Sequence, residues 1–309
     1  MSQKKKASSF SLRSLPYDAR VAPYVFILPF ILIFGIFFAY PIVNAFVMSF
    51  QELLPGQITF IGWDNYKQLA SDTVFRKACT NSITYTFWTL LLLVPCPLIF
   101  ATLLNQKALP FRNLYRSILF IPALTSVVVA GITFKLMLSE VDTSLFNSLM
   151  HLFGQPSIKW MKRADTGMMA MVMVACWRWT GVNIMYYMAG LQNISEEIYE
   201  SVDIDGGNAW QKFRYITVPL LKPTTIYVLT ISIYGSMAMF IESYMLYEGN
   251  KSIANNGLTI VGYLYRKGLQ QNNLGYGAAV GVFLLLVVFI VNMAQLNLFG
   301  MFRKEEGSK

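Results

Sequence analysis

Three ionisable side chains, Lys135, Arg178 and Glu242, stand inside long apolar runs of the sequence. A charge in a hydrocarbon environment is costly and normally faces a cavity, a partner or an opposite charge. Arg178 is flanked by Trp177 and Trp179, and Trp179, Asn183 and Tyr186 follow one another at i, i+4, i+7, on one helical face. A second stripe, of small or polar residues, contains Ser232, Gly235, Ser236, Met239, Glu242 and Ser243. Aromatic rings beside hydrogen-bonding groups suit a sugar, whose ring has apolar C–H faces and a hydroxyl rim. Arg178, Trp179, Asn183, Tyr186, Gly235, Ser236, Met239 and Glu242 are therefore candidates for a solute path. Each also has a plainer reading. Gly235 and Ser236 can serve close helix packing, tryptophans anchor at interfaces, and Lys135 can snorkel to a nearby surface. Glu242 can simply neutralise Lys135 or Arg178.

Other chemistry is excluded. The cysteines, Cys79, Cys96 and Cys176, have no metal-ligand spacing, and the single histidine is His151. A zinc site or a Cys/His nucleophile is not expected. No G-x-x-x-x-G-K run and no strand-linked G-x-G-x-x-G is present. No metal or cofactor is expected in this chain, so energy must come from a gradient or another subunit.

The elements that position these residues follow from composition. Of 309 residues, 55% are apolar and 13% charged, against roughly 25% charged in soluble domains. The mean hydropathy is +0.47. Disorder is excluded by the same figures. Six charge-poor runs, at 24–47, 81–104, 118–138, 167–190, 223–246 and 276–299, each reach the roughly 20 residues that span a bilayer as a helix. They are continuous rather than alternating, which excludes a β-barrel. The fold class is an all-α membrane protein with six transmembrane helices.

Lys and Arg set the expected orientation. With the 1–23 tail inside, the inner segments 1–23, 105–117, 191–222 and 300–309 hold 14 basic residues and the outer loops 9. Both termini are therefore expected to be cytoplasmic. The net charge of +9 is explained by topology and anionic membrane lipid, without nucleic acid. No cleavable signal is expected, because the first apolar run begins after residue 23 and is too long.

Loop 191–222 is the most informative segment. Ser195 reads as an N-cap, with Glu196 and Glu197 in the first turn, where the helix dipole favours acids. A short helix through Ile198, Tyr199 and Val202 stops at Asp205-Gly206-Gly207, and a second restarts near Ala209 with Trp210, Phe213 and Ile216. Pro219 and Pro223 mark re-entry into the fifth span. This helix–turn–helix is either an amphipathic linker on headgroups or a docking element for a cytoplasmic partner.

Glu200-Ser201-Val202, Asp205-Gly206, Phe213, Ile216, Pro219 and Pro223 resemble the "EAA" loop of bacterial ABC importer permeases, whose pattern is E-A-A-x-x-D-G followed by F, I and P. Further matches are Leu28-Pro29, Tyr40-Pro41, Ser49-Phe50 and Phe60-Ile61-Gly62-Trp63-Asp64-Asn65-Tyr66. Tyr115-Arg116-Ser117, Phe120-Ile121-Pro122, Phe146-Asn147, Trp177-Arg178-Trp179-Thr180-Gly181, Ala189-Gly190-Leu191-Gln192 and Tyr276-Gly277-Ala278-Ala279 complete the set. The resemblance runs from about residue 20 to 300 and is to carbohydrate importers of the maltose and glycerol-phosphate type. Ser201 and Val202 replace the two alanines, and Gly207 stands where alanine is usual, an extra glycine expected to loosen the turn.

The resemblance implies a type I importer permease in a bacterial cytoplasmic membrane. It implies a second homologous permease, two cytoplasmic ATPases that hold ATP and Mg, and an extracytoplasmic sugar-binding protein that delivers a carbohydrate. Tyr199, Glu200, Asp205, Gly206, Gly207, Phe213, Ile216 and Pro219 would couple the loop to an ATPase. The competing class, an ion-gradient-driven secondary transporter, usually shows internal repeats and helices broken at the midplane. No two similar halves are visible here, although Pro95-Cys96-Pro97 interrupts the second span.

Overall fold

The computed structural model describes residues 21–54, 56–106, 109–249 and 251–300. Most of the two expected tails, and Lys107, lie outside the described residues. The elements in chain order are α1 Ala22–Met48, α2 Asp64–Ser71, α3 Thr73–Leu104, α4 Arg112–Leu124 and α5 Val127–Met137. They continue with α6 Leu145–Leu152, α7 Ala164–Leu191, α8 Glu196–Ile204, α9 Ala209–Leu220, α10 Lys222–Met237, α11 Ile241–Leu246, α12 Ile260–Leu264 and α13 Leu274–Leu298. A hairpin of β1 Gln51–Leu54 and β2 Gln57–Phe60 follows α1, with Gln51 opposite Phe60.

Four helices, α1, α3, α7 and α13, are each long and apolar enough to cross a membrane, and the count is up to six if each bent pair is one span. The expected third span, 118–138, is two helices: α4 and α5 meet at 97°. Thr125 and Ser126 are extended there, and the Thr125 hydroxyl donates to Pro122 O at 2.6 Å. The expected fifth span, 223–246, is also discontinuous. A 67° bend separates α9 from α10, and α10 ends at Met237 before α11 resumes.

That second gap is repaired from a distance. Thr259 Oγ1 donates to Met239 O at 2.9 Å, and the Ser243 hydroxyl donates to Gly257 O. The segment that supplies these groups is stitched to α3. Asn81 Nδ2 donates to Asn255 O and Leu258 O at 2.8 and 2.9 Å, and Ile260 N donates to Ser82 Oγ at 3.0 Å. Backbone groups freed inside an apolar layer need such partners, which is why irregular backbone survives there only when packed in protein.

α7 is the axis of the core. Its first half packs Met171, Val174 and Ala175 with Tyr85, Phe134 and Leu246, and its second half packs Ile184, Tyr187 and Met188 with Leu98, Leu221 and Val228. A third cluster joins Leu69, Phe75, Tyr263 and Tyr276. Beside that cluster Asp72 caps α3, accepting from Val74 N and Phe75 N, and also receives the Tyr263 hydroxyl at 2.5 Å. Burial opposes its charge, but Tyr263, the two amides and Lys267 outweigh burial and hold the carboxyl below its ordinary value.

Several motifs of the resemblance are corners of this fold. Asn65 Nδ2 donates to Ser49 O and Gln51 O, and Tyr66 OH donates to Ser49 Oγ at 2.7 Å. Asn147 is fully buried. It donates to Ser139, Val141 and Ile158 carbonyls and accepts from Ile158 N and Trp160 Nε1, folding the connection between α5 and α7 around one amide.

Candidate functional site

The loop between α7 and α10 folds as a helix, a turn and a helix. Ser195 occupies the N-cap position of α8, with Glu196 and Glu197 in its first turn. Gly206 has φ +76°, a left-handed conformation that favours glycine. Asn208 then starts α9 with a reciprocal pair: Gln211 N donates to Asn208 Oδ1 at 2.9 Å and Asn208 N donates to Gln211 Oε1 at 2.7 Å. A Lys212–Asp203 ion pair and a 3.0 Å contact between Tyr199 OH and Thr217 Oγ1 tie the helices together.

Gly207 has a specific cause. A Cβ built on it would overlap Val202 Cγ1. Two of the three departures from the importer pattern, Val202 and Gly207, therefore touch each other, and the glycine makes room for valine.

Phe213 turns toward the bundle and packs against its core with Ile194 and Val218. Glu200, Asp205 and Pro219 are exposed, and Tyr199 and Ile216 are half-buried. The apolar surface left open is formed by Ile204, Trp210 and Tyr215, which are 86%, 67% and 68% exposed. A cavity of about 270 Å³ lies beside them, lined by Val202, Asp205, Gly206, Gly207, Gln211 and Ile216 among others. Ile204, Trp210 and Tyr215 are all absent from the coupling residues named from the sequence. The position of Ile204, the last helical residue before Asp205-Gly206, was the available signal.

The solute-path candidates divide into an open set and a packed set. Arg178 lies with its guanidinium 5.3 Å from the Trp179 ring centroid, and its Nε is buried without a hydrogen bond. Trp179 is exposed, Tyr186 meets Tyr227 edge to face at 5.2 Å, and the α-carbon of Gly235 borders open space. Asn183, Ser236 and Met239 are buried. Asn183 Nδ2 donates to Leu93 O at 2.8 Å and lies 3.4 Å from Ser232 Oγ, whereas the Ser236 hydroxyl donates within its own helix to Ile233 O. Glu242 is half-buried. It does not neutralise Lys135, which is paired with Glu248. That pair sits where α5 and α11 emerge side by side, and Lys135 holds the Glu248 carboxyl below its ordinary value. Among the described residues no cluster of His, Cys, Asp or Glu could hold a metal ion.

With this geometry in view, the likenesses are informative. The chain is 52% identical over 293 residues to the arabinooligosaccharides transport system permease protein AraP of Bacillus subtilis, covering 95% of this chain and 93% of that one. It is 32% identical to the lactose transport system permease protein LacF of Rhizobium radiobacter, covering 90% and 93%. Its fold matches a chain of the bacterial alginate ABC transporter, solved with an alginate pentasaccharide-bound periplasmic protein, at a TM-score of 0.81 and 22% identity, over 94% and 99% of the two chains. Matched over residues 19–299, the chain belongs to the family of binding-protein-dependent transport system inner membrane components, the membrane permeases of ABC importers.

Proposed function

We propose that this permease carries a short neutral oligosaccharide of the arabino-oligosaccharide class across a bacterial cytoplasmic membrane. The observation that carries this reading is 52% identity, across nearly the whole chain, to a permease named for that substrate class. The exposed Trp179 ring, the half-buried Tyr186 ring and the open space beside Gly235 support it. Arg178 donates hydrogen bonds to hydroxyls in this scheme and needs no anionic solute.

A second permease completes the path, two ATPases hold ATP and Mg, and an extracytoplasmic binding protein delivers the sugar. Both termini and the α8–α9 loop face the cytoplasm. Ile204, Trp210 and Tyr215 enter a groove on an ATPase, while Glu200 and Asp205 make polar contacts around the turn. Closure of the ATPases on ATP pushes α8 and α9, which transmit motion through Phe213 and Tyr199 to α7 and α10. The path then opens outward, and hydrolysis returns it inward.

The test is uptake into vesicles carrying the permease with its co-expressed subunits and the sugar-loaded binding protein. Uptake of labelled arabino-oligosaccharides should require internal ATP and survive a protonophore. Uptake that ignores ATP and collapses with the protonophore would assign the protein to gradient-driven transport.

A further inference from the structure

Above the candidate path, between α3 and α7, lies a cavity of about 580 Å³, a size within the roughly 300–1,000 Å³ typical of small-molecule sites. One wall is a stripe on α3 formed by Lys77, Thr80, Thr84 and Trp88, and the facing wall carries Asp165. Asn256 closes the upper edge. None of these residues is explained by the path or the docking loop. Trp88 is 46% exposed and stands edge to face with Phe87, with ring centroids 5.4 Å apart.

The polar groups decide the occupant. Thr84 lies about 10 Å below Lys77 along the helix axis at 1.5 Å per residue, and Trp88 follows one turn deeper. A phospholipid would place its headgroup at Lys77 and an acyl chain against Thr80 and Thr84, leaving the Thr84 hydroxyl without use. While Ala164, Met168, Met169 and Val172 form an apolar opposite side, a saccharide uses the stripe from Lys77 to Trp88. Its C–H face stacks on the indole, and its hydroxyls bond to Thr80, Thr84, Asn256 and the charged rim. The Thr80 hydroxyl donates to Arg76 O at 3.0 Å, so its lone pairs remain for a sugar O–H.

Leu92 lines the deep end of the cavity. Val172 also lines it and shares a helical face with Trp179, two turns further on.

We propose that this groove is a second saccharide subsite, holding the part of an oligosaccharide that trails behind the residue in the path, with Trp88 as its stacking platform. The inference rests on the oligosaccharide reading given above. It makes affinity depend on chain length, a property the path alone does not confer.

The experiment uses the complete transporter in vesicles and arabino-oligosaccharides from the disaccharide to the pentasaccharide. Trp88→Ala should raise the uptake KM for the pentasaccharide about tenfold, as expected for loss of one aromatic stacking contact. The loss should shrink step by step with shorter chains, and Trp88→Tyr should recover most of it. Thr84→Val should show the same gradient more weakly. An equal loss at every length would make Trp88 a packing residue and overturn the proposal, as would no loss at all. Acyl-brominated phospholipids provide the remaining arm. Trp88 emission, taken as wild type minus Trp88→Phe, should be shielded from the bromines when pentasaccharide is added. Quenching that saccharide does not alter would give the groove to lipid and overturn the proposal. Absence of ATP-driven saccharide uptake by the wild type would instead remove the transport reading, and this subsite with it.

Discussion

A proline inside a transmembrane helix deprives one carbonyl of its amide, and in hydrocarbon that carbonyl must find another donor. Pro97 does this to Leu93, and Asn183 supplies the missing donor at 2.8 Å. The residue therefore has a structural task that its place on a helical face with Trp179 and Tyr186 does not disclose. Replacing it with leucine leaves a buried acceptor unpaired, a loss of about 1–3 kcal/mol. In a Pro97→Ala background the restored amide covers Leu93 O, so Asn183→Leu should cost much less. Thermal melts of the two single variants and the double variant in detergent measure that coupling directly. An equal cost in both backgrounds would move Asn183 back to the solute path, where its 3.4 Å neighbour Ser232 would be the group to examine.

At the scale of elements, the α8–α9 loop behaves as one unit because Val202 of α8 and Gly207 of the turn share a single space. Gly207→Ala should crowd Val202 and lower sugar-stimulated ATP turnover. Val202→Ala should be tolerated alone and should rescue Gly207→Ala, since it removes the methyl that the new Cβ strikes. Turnover that stays low in the double variant would place the fault in the backbone turn itself. This loop was legible in the sequence because its signals are local: an acidic first turn, a glycine stop and a restart, with Ser195 at the N-cap position although its side chain makes no capping hydrogen bond. The breaks in the third and fifth spans were not. An apolar run reads the same whether straight or broken, and the groups that make the second break tolerable, Thr259 and Gly257, lie 20 and 14 residues from the atoms they satisfy. The same limit explains the loop's surface. Alternation within α9 shows that Phe213 and Tyr215 point differently, but only the position of α10 and α7 decides which of them meets the bundle.

On the scale of the whole molecule, α1 is a long apolar helix that this chain does not enclose. None of its residues is buried, and Phe30, Phe34 and Phe38 form an exposed ladder with ring centroids 6.1 and 5.8 Å apart. Its second half lies along α13. Lipid alone satisfies such a surface, because exposure to hydrocarbon carries no hydrophobic penalty. A large, rigid aromatic ridge nevertheless offers the van der Waals packing that drives helix association where water is absent. If the permease is one of two that enclose the path, this ridge is the available contact for the second, since the other long helices are already packed against α7, α10 or α12. A photo-crosslinking residue at Phe34 in the assembled transporter should therefore yield an adduct whose mass is the sum of the two permeases, and truncation to Phe34→Ala should weaken their co-purification. Adducts to lipid alone, with co-purification intact, would leave α1 as an anchor and transfer the pairing surface to the exposed face of α4 and α5.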